Sequence, residues 1–155
     1  PMHNRRRTFA ATIALIFFTL GFPISQAADD ADDVIKFRQN VMKGIGAHIN
    51  NIAAIAKGKI TFTGNLISDA QGIVNGLETA NALFPSGTDG GKTNALAALW
   101  EDREGFDKAL EKSKERAKQL LAVVRGSTDI AEIGQALGAL GKSCGGCHKP
   151  YRKKM

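Results

Sequence analysis

Apolar residues recur at steps of three and four along four stretches of this chain, and that periodicity restricts the fold more than any other feature. The first stretch carries Val34, Phe37, Val41, Met42, Ile45, Ile49, Ile52 and Ile55 on one helical face. Asp29, Asp30, Asp32 and Asp33 stand at its start, where the helix dipole favours acids, and Gly58 marks its stop. The second stretch runs from Ser68, read as its cap, to about Ala82, with Ile73, Val74, Leu77 and Ala80 inward. Gly72 and Gly76 lower its intrinsic propensity by about 1 kcal/mol each, so two small residues four apart point to close approach by a neighbour. The third is expected as one helix from Ala95 to Arg125. Leu96, Leu99, Trp100, Phe106, Leu110, Ala117, Leu120, Leu121 and Val124 form its buried side; Glu111, Lys112, Lys114 and Glu115 form its wet side. Trp100 and Phe106 read as core residues. The fourth, capped by Asp129, carries Ile130, Ile133, Leu137 and Leu140 toward a cysteine pair. Ile60-Thr61-Phe62 has strand character but no pairing partner. The fold class is therefore all-α, an antiparallel four-helix bundle.

The first residues do not belong to that bundle. Arg5, Arg6 and Arg7 precede an apolar run from Phe9 to Phe22, and Ser25-Gln26-Ala27 offers small residues for cleavage. Residues 1–27 read as a secretory signal and 28–155 as one domain. The run is shorter than the roughly 20 apolar residues of a membrane span, and no span is expected in the mature form. Removing the signal lowers the net charge from +6 by those three arginines. The remaining charge is too mild to argue for nucleic acid.

Export brings the chain to an oxidising compartment, the periplasm, where Cys144 and Cys147 are its only cysteines. They sit in Cys144-Gly145-Gly146-Cys147-His148. On a helix the two thiols and the imidazole share one face, at i, i+3 and i+4. Two cysteines so spaced match the two vinyl groups of one haem, each thiol adding across a vinyl, and the adjoining histidine reaches the iron. A thiol–disulfide oxidoreductase carries its cysteine pair near a strand–helix unit, and a zinc site needs a fourth ligand close by; neither context is evident. His48 lies nearly two turns from Met42 and reads as a solvated or helix-packing histidine.

Beyond these motifs the chain resembles cytochrome c prime and its low-spin relatives. The resemblance rests on Lys36-Phe37-Arg38-Gln39-Asn40-Val41-Met42, on Leu83-Phe84-Pro85 with Gly87-Thr88-Asp89-Gly90-Gly91 before Trp100, and on Cys144 to Arg152 in the final helix. It implies a four-helix bundle, often a homodimer, with one covalently attached haem c in the core. It places Arg38 and Gln39 near the haem propionates, and an arginine suits a carboxylate on physical grounds. It sets Arg152 beside the proximal face and Thr93 against the haem. It makes Met42 either the sixth iron ligand, opposite His148, or a filler of the distal pocket. The function expected is electron transfer with redox partner proteins, not enzymatic catalysis. The alternative is binding or scavenging of nitric oxide or carbon monoxide at a five-coordinate haem.

Overall fold

A computed structural model describes residues 29–154, and the secretory segment expected over 1–27 lies outside them. Four long helices make the bundle: α1 (Ala31–Ala56), α2 (Leu66–Ala80), α4 (Arg103–Gly126) and α5 (Ile130–Tyr151). A single 3-10 turn, Asn81–Leu83, and a short α3, Ala98–Glu101, lie between α2 and α4. α1 packs on α2 and α5, and α4 packs on α5 and α2, which closes a square around one core. Ile52, Ile73, Leu99, Leu120, Ile133 and Leu140 are its most deeply buried large side chains.

Local chemistry sets the helix ends. The Asp30 carboxylate accepts from the Asp32 and Asp33 N–H groups, and Asp129 accepts from Ala131 N–H. Gly58 ends α1 with φ 66°, a conformation that other residues adopt at a cost. Ser68 is not the cap of α2: that helix begins two residues earlier, and the Ser68 hydroxyl donates to the Asn65 carbonyl.

The third segment is not one helix from Ala95 to Arg125. Asp102 leaves helical geometry at φ −117°, ψ 60°, and its side chain accepts from Gly105 N–H at 3.1 Å and from Tyr151 OH at 2.7 Å. A carboxylate that finds such donors favours a cap over a helix interior, so the segment divides there. Lys114, expected on the wet side, is buried and holds Glu111 at 2.6 Å. Its aliphatic stem covers the core while its ammonium reaches an acid.

The glycines of α2 do admit a neighbour. A Cβ on Gly76 would lie 2.7 Å from Ile45 Cγ1, and one on Gly72 would strike the His48 ring. Gly76→Ala is therefore expected to lower the unfolding midpoint. The overpacking costs about 1–3 kcal/mol, more than the propensity gain of about 1 kcal/mol. Gly44→Ala, where a Cβ meets nothing within 4 Å, is expected to raise it. Thermal denaturation of the two variants checks both signs.

Candidate functional site

Cys144, Cys147 and His148 lie in the last three turns of α5, on the same side as the buried Leu140 and Tyr151. Both thiols are free and half-buried. Burial raises both thiols, Cys147 to about 11 with a further push from Cys144. His148 is held below its usual range, first by burial and then by the charge of Arg152. A neutral imidazole is the form that ligates a metal.

The register between α1 and α5 follows from one contact. A Cβ on Gly134 would lie 3.9 Å from Ala56 Cβ, which fixes where the two antiparallel helices pass. Counting back from Ala56 to Met42 takes as many residues as counting forward from Gly134 to His148. With equal rise per residue, Met42 and His148 stand at the same height in the bundle. Met42 and Ile49 of α1 and Leu137, Cys144 and Cys147 of α5 pack against the core, yet all remain half-buried. These half-buried side chains leave an apolar surface on the two helices at the height of His148.

Arg38 lies one turn before Met42 and is 3% exposed. Its guanidinium donates to Thr88 Oγ1 at 2.7 Å, to the Thr88 carbonyl at 2.7 Å and to Thr93 Oγ1 at 2.6 Å. It also lies over the Phe84 and Trp100 rings, at 4.9 and 5.6 Å. None of these partners is an acid, and Arg38 forms no ion pair among the described residues. A buried cation held only by neutral groups is costly, and an anionic group beside it offsets that cost. Thr93 thus reaches Arg38 directly. Gln39 donates to the Lys92 carbonyl at 2.9 Å, so both residues grip the 88–93 loop.

That loop also holds the end of α5. Leu96 N–H donates to the Tyr151 carbonyl at 2.9 Å and Lys153 N–H to the Asn94 carbonyl at 2.8 Å, around a bridge between Ala95 and Arg152. The Tyr151 hydroxyl is pushed up to about 12, first by its bond to Asp102. Phe106 stacks edge-on between Phe84 and Tyr151, at 5.1 and 5.6 Å, and is a core residue as expected. Trp100 is half-buried and donates to the Pro85 carbonyl.

His48 stands apart from this site. It lies roughly 120° around α1 from Met42. Its Nδ1 meets Asp69 Oδ1 at 2.8 Å, with Asn51 Nδ2 at 3.2 Å from the same oxygen. Asp69 is buried, and its Oδ2 has no partner among the described residues. The sequence reading missed this pair, although Asp69 stands four residues before Ile73 on the inward side of α2. His48→Ala is expected to cost about 1–3 kcal/mol of stability by stripping a buried carboxylate of a donor. The visible spectrum should not move; chemical denaturation and absorbance of the same sample check both halves.

Comparison with known proteins gives one answer. The family described as Cytochrome C' matches residues 33–152. A cytochrome c' from Pararhodospirillum photometricum is 35% identical over 120 residues, covering 77% of this chain and 95% of that protein. The solved cytochrome c prime from Shewanella frigidimarina superposes with a TM-score of 0.76 at 30% identity, covering 82% of this chain and 99% of that one. A nitric oxide complex of a mutant cytochrome c prime from Alcaligenes xylosoxidans superposes at 0.74 and 25% identity, covering 81% and 98%.

Proposed function

The chain belongs to the cytochrome c' family, a family of haem proteins, and on that premise we propose that it is a periplasmic single-haem electron carrier. Its cofactor is a covalently bound haem c. The residues assigned to it are a proposal that rests on the geometry above. Cys144 and Cys147 hold the porphyrin through thioethers, and His148 gives the iron its proximal nitrogen. Met42, at the height of His148, would offer its thioether as a second ligand to that iron. Arg38 supplies positive charge toward the propionates, with Thr88 and Thr93 fixing its plane. Gln39 steadies the same loop, and Arg152 keeps positive charge near the proximal histidine, which favours the neutral ring.

The observation that carries this reading is the shared height of Met42 and His148 on antiparallel helices. When bound, the haem supplies reversible one-electron chemistry at its iron. The chain's part is to keep that iron's surroundings constant. A thioether tends to raise the potential, and an unchanged ligand set keeps reorganisation small. Half-buried apolar neighbours keep water scarce, and the loop held by Arg38 fixes charge at the polar edge.

A second reading has its own support. The solved neighbour that holds nitric oxide favours a gas-binding role at an open sixth position, with Met42 as cover only. Absorbance of the ferrous protein with and without carbon monoxide separates the two. Slow, incomplete binding supports the carrier; rapid, complete binding supports the gas site. Residues 1–27 are proposed as the export signal and 28–155 as the haem domain, and an intact mass that retains Arg5 to Phe22 after export would overturn that boundary.

A further inference from the structure

The outer side of the α4–α5 pair holds a groove that the haem reading does not use. Its floor is Gly138, Ala139 and Gly146, and Lys112, Arg116 and Lys142 rise from it. The side chains facing it are cationic, neutral or absent; no carboxylate lines it. Four other cations of α4 are paired, Arg103 with Asp107, Lys108 with Glu104, Lys114 with Glu111 and Lys118 with Glu78, while Arg125 at its end reaches only the Gln71 amide. Lys112, Arg116 and Lys142 form no ion pair among the described residues, and Arg116 reaches only the amide of Gln119. Lys112 and Arg116 also border the neighbouring face of α4, where Glu104, Asp107, Glu111 and Glu115 stand, so it is on the groove side alone that they meet no acid.

The floor is as informative as the charge. A Cβ on Gly138 or Gly146 would meet nothing within 4 Å, so packing within the chain does not require glycine at either place. Each costs the helix about 1 kcal/mol relative to alanine. Three unpaired cations around a floor of glycine and alanine admit a protruding anionic segment to close range, where it meets charge on both flanks. A flat charged surface would touch the rims and leave the floor uncovered.

We propose that this groove docks an acidic segment of a partner protein, a carboxylate-rich helix or loop, on the side of α5 opposite Cys144 and His148. The inference rests on this surface alone and stands whether or not Met42 ligates the iron. The attraction is electrostatic, so it weakens as salt is raised and acts chiefly on the rate of encounter.

The test uses the haem-loaded protein and a fluorescent oligoglutamate peptide, with anisotropy read at low and at physiological salt. Lys112→Glu, Arg116→Glu and Lys142→Glu combined should weaken binding about tenfold or more. Lys36→Glu and Lys43→Glu on exposed positions of α1 with Lys57→Glu just past its end, an equal change in net charge, should weaken it far less. The glutamine versions of the groove residues guard against misfolding and should give an intermediate loss. Equal losses in the two triple variants would mean attraction to overall charge and would overturn the proposal. Absence of binding by the unaltered protein at low salt would do the same. Vesicles rich in phosphatidylglycerol form a second arm. Tighter, groove-dependent binding to them than to the peptide would reassign the surface to a membrane and sink the protein-partner reading.

Discussion

Replacing Cys144 and Cys147 together by serine is expected to abolish the covalent haem. Unaltered protein, made in cells with working cytochrome maturation, should carry a peroxidase-active band through denaturing electrophoresis, because a thioether survives conditions that unfold the bundle. The double variant should carry none. Serine keeps the size of each side chain and removes only the nucleophile, so the loss reports the bond and not the packing. The geometry makes the effect all-or-none. Both thiols sit on one side of α5 within one helical turn, and the described residues hold no other cysteine to substitute for them. A stained band in the double variant, or none in the unaltered protein, would remove the ground for the whole site. His148→Ala should keep the band, since attachment and ligation use different atoms, while the spectrum loses the signature of a strong proximal nitrogen.

The second large effect is expected at Met42. If its sulfur ligates the iron, the ferric protein is low-spin, and Met42→Ala converts it to high-spin and lowers the potential, because a soft ligand that prefers ferrous iron is lost. If it only covers the distal side, the unaltered protein is already high-spin and the variant chiefly admits gas faster. Stability cannot distinguish these outcomes. Truncating a core methionine costs about 2–5 kcal/mol, with the low end apt for a half-buried one, and it does so in either case. Paramagnetic resonance of the ferric protein can. A high-spin signal before any substitution would leave His148 as the sole axial ligand and favour the gas-binding reading.

The sequence spoke clearly where one residue type can do one thing. The Cys144–His148 spacing and most of the apolar periodicities were readable because helical geometry maps them onto a face; at the start of α1 the expected Phe37 is exposed and Ile35 is buried in its place. So was the close approach at Gly72 and Gly76, where two glycines in an otherwise good helix needed a reason. It was silent where a residue's partner lies far away in the chain. Asp102 falls inside the stretch expected as one helix, and nothing near it in sequence announces that Tyr151 donates to it. Lys114 looked wet because its charge is polar, and propensity does not record where a long stem lies. Arg38 was placed by resemblance near a carboxylate. The structure adds the neutral grip of Thr88 and Thr93, which no local pattern announces.

The last turn of a helix ordinarily frays, and a histidine placed there would share that motion. Here the backbone past Tyr151 is sewn to Asn94 and Leu96, and its phenol is fastened to the residue that starts α4. The opening of the terminus is thereby coupled to the opening of the 88–96 loop, which Arg38 holds from inside the bundle. An imidazole in the last turn of α5 is thereby tied to two distant segments, and freeing it is expected to require the loss of both sets of bonds.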